Sequence, residues 1–463
     1  GARRGGGRRR GRGPGGGGLA AGAGAGRAER GGAAAEAAVG DLFDGPPPGA
    51  GRLATGRPFL DHMVDQLTAH AQLGVRVEVP GCAPMEDGPD VADAAADEAA
   101  YRAVGAALGG ALGAHLAARR EAAGAGAGAG RARFCAPLDE AYSECEIDVS
   151  GAGLGPGEAP GPPAGLARFE VAPYGGGCSP GGRGRERIGS FRTALTEPFF
   201  EELCAAAGVR CELAKVRGEN AHHVVEATFK AFARGLRRAM DDLEGPGPAA
   251  ERAAAAADAA RELAVHRQAA RARSTKETTV DVRVALDGRG AGVSDTGLAT
   301  LDAAFDSLRQ ASGVSAWVRS TGDLWIDDHH TAEDVSITYG QCLGEALGDK
   351  AGVVRMASAE ASSGGARVEA VVDLSNRPFL GNDLRFAGEL VGDLAAEMVD
   401  HVFMSIAFNA GITLHLRALE DGGSDEDTLT AAVLAFGACL RECVAVDPRR
   451  AGRVASSKGT LSV

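Results

Sequence analysis

The sequence predicts an α+β fold made of two tandem copies, each built from two half-repeats of strands and helices. Three observations carry this. Distant segments resemble each other: "TGRPFLDHMVDQL" (55–67) matches "TGLATLDAAFDSL" (296–308), "CEIDVSGAGL" (145–154) matches "AVVDLSNRPFL" (370–380), and "AAAGVRCEL" (205–213) matches "FNAGITLHL" (408–416). A finer repeat lies inside each copy. "LDHMVDQLTAHAQLGVRVEV" (60–79) has the shape of "MVDHVFMSIAFNAGITLHL" (398–416), a His-bearing amphipathic helix followed by an alternating strand. The pattern HHxxE also occurs twice, in "ENAHHVVEATFK" (219–230) and "DDHHTAED" (327–334), in a chain with only 10 histidines.

The chain of 463 residues is long enough for two domains with cores of their own. Its basic, Gly-rich start reads as a disordered arm over 1–30. A first domain with Gly/Ala-rich insertions follows over 31–245, then an Ala-rich linker over 246–272 and a second domain over 273–463. The Ala/Gly tracts at 19–40, 122–130 and 151–165 read as flexible insertions; the tract from 245 opens with a helix-ending Gly-Pro signal and continues as an Ala-rich helix. The net charge of −13 argues against a nucleic-acid-binding body, which leaves RNA binding to the arm alone. No apolar run is long enough to span a membrane. The first residue is Gly rather than Met, so the N-terminus reads as incomplete and its address as unreadable, with a cytoplasmic or plastid setting expected. Nine cysteines without a CxxC suggest reduced, buried thiols rather than disulfides or a zinc-thiolate site.

Both HHxxE segments read as first turns of helices, capped by Asn220 in one and by Asp327 or Asp328 in the other. Val225, Phe229, Phe232 and Leu236 then form a buried stripe. His222 and Glu226 stand one turn apart, as do His329 and Glu333, so imidazole and carboxylate share a helix face. That donor set suits a divalent first-row metal, and this many imidazoles suit two ions better than one. Read singly, one such motif is as well explained by a solvated His pair with a glutamate partner.

Both copies resemble the imidazoleglycerol-phosphate dehydratase family. The resemblance rests on "KET", "LDHM", "GDLWIDDHHTAEDVSITYGQCLGEALGDKAGVVR", "PLDEA", "DLSNRP", "ENAHHVVEATFKAFARGLRRA" and "DPRRAGRVASSKGTL". It implies domains in which helices pack between two four-stranded sheets. It further implies loss of water from imidazole glycerol phosphate to give imidazole acetol phosphate, two Mn2+ ions per site, and sites shared between subunits of a 24-domain shell. Twelve chains of this length would supply that shell as a homo-oligomer.

The departures from the family pattern divide between the copies. The first keeps His62, His222, His223 and Glu226, but has Pro198 at one family histidine and no first HHxxE. The second keeps His329, His330, Glu333 and His401, but has Ala303 in its "LDAAF" and Asp425 and Glu426 in place of its second His pair. Asp139 and Lys230 survive only in the first copy, and Arg377, Ser456 and Lys458 only in the second. Arg355 is clear in the second, with Arg133 as a candidate counterpart in the first. Glu277 holds the place of the proton-removing glutamate, and Glu36 falls at the matching distance in the first copy. Complementary loss is the expectation: the eight ligands form one composite site, with Glu277, Asp139 and Lys230 catalytic and Arg355, Arg377, Ser456 and Lys458 holding phosphate. The alternative is a decayed pseudoenzyme or a non-catalytic, metal-linked shell. His70 and His415 are expected only to cap or pack, and His115 and His266 have no assigned role.

Overall fold

The computed structural model describes residues 23–42, 46–80, 94–123, 129–151, 164–175, 184–245, 267–450, 453–457 and 461. Four successive half-repeats follow one plan. The first comprises β1 (Gly24–Arg30), β2 (Ala33–Asp41), β3 (Leu53–Ala54), α1 (Pro58–Ala71), β4 (Leu73–Glu78) and α2 (Ala94–Ala123). The second comprises β5 (Arg131–Leu138), β6 (Ala141–Asp148), β7 (Gly165–Glu170), the small hairpin β8 (Arg187–Ile188) and β9 (Phe191–Arg192), α3 (Thr196–Ala207), β10 (Arg210–Arg217) and α4 (Ala221–Leu243).

The second copy repeats this order. Its first half has β11 (Gln268–Ser274), β12 (Thr278–Ala285), β13 (Gly292–Asp295), α5 (Ala299–Ser312), β14 (Ser315–Gly322) and α6 (His329–Leu347). Its second half has β15 (Met356–Ser363), β16 (Ala366–Asp373), β17 (Phe379–Asn382), the hairpin β18 (Leu390–Val391) and β19 (Leu394–Ala395), α7 (Ala396–Ala410), β20 (Thr413–Asp421) and α8 (Asp425–Cys443).

Each half-repeat closes a four-stranded sheet in the same order: β1-β2-β4-β3, β5-β6-β10-β7, β11-β12-β14-β13 and β15-β16-β20-β17. One edge strand of every sheet (β3, β7, β13 and β17) is parallel to its neighbour. A parallel pair needs a crossover, and α1, α3, α5 and α7 supply it. The remaining helices lie between the sheets of their copy. In the first, α2 packs on β1, β2 and α3, and α4 packs on β5, β6 and α1. In the second, α6 packs on β11, β12 and α7, and α8 on β15, β16 and α5. This is the α+β arrangement expected.

The sequence pattern explains these elements. In β12, Val280, Val282 and Val284 are buried while Asp281 and Arg283 are exposed, the alternation of a half-covered strand. Along α4, Val225, Phe229, Phe232 and Leu236 are buried at helical spacing. The seven cysteines among the described residues are all free and buried. No helix among those residues is long and apolar enough to cross a membrane.

Two expected bounds need correction. Strand β1 begins at Gly24, inside the stretch read as a disordered arm, and β11 begins at Gln268, inside the stretch read as linker. The first misreading has a physical cause. At Gly26 a Cβ would stand 2.1 Å from the Ala107 carbonyl oxygen, so close approach to α2 demands glycine. Glycines placed for contact resemble, in composition, glycines placed for freedom. The tract at 19–40, expected to be flexible, likewise contributes the β1–β2 pair. Residues 246–266, where the Ala-rich helix was expected, lie outside the described residues.

The two copies meet along a seam where β5 faces β15, β16 and β20. Met356 of the second copy enters the apolar core of the first. Arg234 donates to the Met356 carbonyl at 3.1 Å. The segment after α8 reaches over α1 and α4. Arg450 donates to the Ala69 carbonyl at 3.2 Å, Arg449 pairs with Asp241 at 2.9 Å, and Gln72 bonds Asp447.

Candidate active site at the seam

Helix α4 starts at the cap expected for it, with the His222 amide donating to Asn220 Oδ1 at 3.0 Å. One turn on, Glu226 Oε2 lies 3.1 Å from His222 Nε2, and α1 brings His62 Nε2 to 3.4 Å from the same oxygen. A further turn places Lys230 Nζ 2.9 Å from Glu226 Oε1. Burial alone would raise the Glu226 carboxyl, but Lys230 and the bonds from His222 and His62 hold it well below the usual carboxylate range. Burial draws Lys230 down, with Arg355 adding to that and Glu226 opposing it. His223 points elsewhere: Glu140 Oε2 holds its Nδ1 at 2.7 Å, and its Nε2 stands 3.9 Å from Asp139 Oδ2.

The second copy repeats the arrangement with other parts. Helix α6 starts with the His329 amide donating to Asp327 Oδ1 at 3.1 Å. His329 Nε2 is 3.6 Å from Glu333 Oε2, and α7 brings His401 Nε2 to 3.2 Å from Glu333 Oε1. His330 is turned away, its Nδ1 3.1 Å from Asp323 Oδ2, and that bond raises its pKa. Glu277 stands just before β12, exposed, and its charge also acts on His330. Trp325 and Ile326, just ahead of the motif, are 84% and 62% exposed.

A cavity of about 380 Å³ opens at the seam. The first copy lines it with Asp139, His222, His223, Glu226 and Lys230, and the second with Arg355, Ser375, Arg377 and Ser456. Arg377 Nε donates to Asp139 Oδ1 at 2.6 Å across the seam, while its Nη2 is buried without a hydrogen-bond partner. Arg355 is more committed. Its Nε and Nη2 donate to Asp373 at 2.6 and 2.8 Å, and its Nη1 to the Ala455 carbonyl. Asp139 sits at φ +50° in the β5–β6 turn, a left-handed position that aspartate tolerates better than most residues. His415 of the second copy donates through Nε2 to the Asp139 carbonyl at 2.8 Å.

The eight ligand candidates therefore fall into two triads, His62–His222–Glu226 and His329–Glu333–His401, with His223 and His330 outside them. The seam cavity takes none of its lining from His329, His330, Glu333, His401 or Glu277. Lys458 lies outside the described residues. Neither first-copy counterpart holds. Glu36 is mid-strand in β2, opposite Glu78 and 3.6 Å from Arg27, whereas Glu277 precedes its strand. Arg133 is tied to Glu144, Glu360 and Glu369 on the seam and does not line the cavity.

Sequence reasoning also missed residues. His70, expected only to pack, lines the cavity. Burial, with Arg355, Lys230, Arg450 and Arg234 around it, holds its pKa well below the ordinary value. Glu140 and Asp323, which orient the outlying histidines, were likewise passed over. Their signal was present: each is an acid in a quoted motif, "PLDEA" and "GDLW".

The fold and the site together define a duplicated α+β class that carries two His/His/Glu groups, one of them beside a cavity lined by both copies. The chain belongs to the imidazoleglycerol-phosphate dehydratase family, whose sequence pattern matches residues 55–171, 177–236 and 296–440. The imidazoleglycerol-phosphate dehydratase of Synechococcus elongatus is 45% identical over 195 residues, which are 42% of this chain and 93% of that protein. Imidazoleglycerol-phosphate dehydratase 1, chloroplastic, of Arabidopsis thaliana is 40% identical over 190 residues, 41% of this chain and 70% of that protein. The crystal structure of imidazoleglycerol-phosphate dehydratase from Staphylococcus aureus matches at 26% identity, covering 39% of this chain and 99% of that one, with a TM-score of 0.35.

Proposed function

We propose that this chain eliminates water from imidazole glycerol phosphate to give imidazole acetol phosphate, a step of histidine biosynthesis. The working site joins the seam between the two copies of one chain to the second-copy triad of another chain. One observation carries the reading: a single cavity sets His222, His223 and Glu226 of one copy against Arg377 and Ser456 of the other. Imidazole ligands and a phosphate-type pocket are what a phosphorylated imidazole requires.

Two Mn2+ ions fit the donors. In each triad two imidazole nitrogens and a carboxylate oxygen lie within 4.8 Å of one another, short of the usual four ligands or more. His223 and His330 each have Nδ1 fixed by a carboxylate, the orientation common behind a metal-binding imidazole. We assign His330 of a neighbouring chain to the His62 triad and His223 to a neighbour's His329 triad, so all eight ligands are used. The exposed Trp325 and Ile326 suit a face that another chain covers. Twelve chains in a 24-domain shell would meet this need, and the plastid or cytoplasm would house it.

When bound, the ions would offset negative charge on the imidazole ring. The chain's own residues do the rest. Arg377 Nη2 and Ser456, with Lys458 from the tail, hold the phosphate. Arg355, its donors spent on Asp373 and Ala455, steadies the wall behind them. Glu277 of the neighbouring chain takes the carbon-bound proton and returns it to the departing hydroxyl on the adjacent carbon, which leaves as water. Lys230 lies beside Glu226 where a substrate hydroxyl would approach. Asp139, between His223 and Arg377, moves a proton at the ring. The enol left behind becomes the ketone. The test is dehydration of imidazole glycerol phosphate by the purified chain with Mn2+. Steady formation of imidazole acetol phosphate is expected; none, beside an active family enzyme in the same assay, would favour the pseudoenzyme.

A further inference from the structure

At the centre of the seam lies a fully buried glutamate, Glu369. Among the described residues, three of its partners cross from the first copy and one is its own copy's. Arg133 Nη1 stands 2.6 Å from Oε1, Cys135 Sγ donates to Oε1 at 3.3 Å, and the Tyr142 hydroxyl donates to Oε2 at 3.4 Å. Arg417, of its own copy, is 3.7 Å away. Beside this group Cys135, Tyr142 and Val371 make a small apolar cluster that belongs to neither domain core.

Strand registers show what each copy carries at the same places. Cys135 lies opposite Glu144 in the first copy, and Glu360 lies opposite Glu369 in the second. By the same registers Ser358 holds the place of Arg133, and Arg367 that of Tyr142. On the other face, Glu212 of β10 stands where His415 stands in β20. We infer that this seam is a directional interaction surface, in which the β5 face of a first copy fits only the β16–β20 face of a second copy.

The reason is charge under burial. Two second copies joined this way would set Glu360 against Glu369 with Ser358 in place of Arg133, and Arg367, at the Tyr142 position, is already shared between Glu360 and Glu420 of its own copy. Like carboxylates in an enclosed contact cannot both stay ionised. Two first copies would put Glu212 where His415 now donates to the Asp139 carbonyl, turning a donor into an acceptor. Only the mixed seam satisfies both networks, and only the mixed seam places Arg377 beside Asp139. Asymmetric change in the copies has thus produced an interface that recognises its unlike partner.

The experiment uses the full chain with a protease site inserted between α4 and β11, cut after folding and kept in a chelator without substrate. It therefore reads the seam independently of metal-linked contacts and of dehydratase activity. The cut wild type is expected to elute as one particle containing both halves. Cys135→Glu should release the halves, with retention weaker on the order of a hundredfold, while Cys135→Gln, of equal size, should keep them together. Adding Glu369→Gln to Cys135→Glu should restore retention. Separation of the cut wild type, equal behaviour of the glutamate and glutamine variants, or failure of Glu369→Gln to rescue would each overturn the proposal.

Discussion

The two triads use the same three residue types on the same helical spacing, yet their surroundings differ. Glu226 is enclosed, with 8% of its side chain exposed and Lys230 one turn away; Glu333 is 35% exposed and has Ile337 at that place. Two of the first triad's residues, His222 and Glu226, line a cavity that already includes the second copy's arginine. The second is more open, with His329 47% exposed, and an exposed tryptophan precedes it in the chain. Under the proposed function the first copy supplies Asp139 and Lys230, and the second supplies Arg377, Ser456 and Glu277.

The largest expected effect comes from the enclosed triad. Glu226→Gln should lower kcat on the order of a thousandfold and reduce bound Mn2+ measured by elemental analysis, since both a ligand and the partner of Lys230 are lost. Wild-type metal content with full activity would remove the distinction between the triads. Next, Arg377→Gln should raise KM about tenfold to a hundredfold and change metal content little, because it removes a charge-assisted bond to phosphate. A kcat loss at unchanged KM would place Arg377 in the chemistry instead.

The smallest effect is on stability against pH. Burial pushes His415 down to about 4, while the unfolded residue titrates near 6.5. Between those values the unfolded chain binds the proton and the folded chain does not. Stability is therefore full above about pH 6.5 and falls by up to about 3 kcal/mol as pH drops through 4. His415→Gln should flatten that slope in thermal unfolding; an unaltered slope would free His415 of this role.

Much of the fold was legible because it repeats. The pairing of "LDHMVDQL" with "LDAAFDSL" exposed the duplication, and the buried stripe of α4 follows from its spacing. The strand at Gly24–Arg30 was not legible, since the glycines that let it approach α2 look like those of a loop. At the site, residue identity named the ligand candidates, but not how they group. His222 and His223 are neighbours in sequence, yet helical rotation sends one to Glu226 and the other to Glu140. Seam partners such as Arg377 and Asp139 are 238 positions apart, and no periodicity reports that meeting. Glu36 was misplaced because counting residues to a helix ignores strand register.

Mixing two inactive full-length chains tests the account most directly. His222→Ala spoils the first copy and His329→Ala spoils the second, and each alone should be inactive. Unfolded together and reassembled with Mn2+, they should regain about a quarter of wild-type activity, the share of sites pairing an intact first copy with another chain's intact second copy. Activity in either variant alone, or none after mixing, would contradict a site shared between chains.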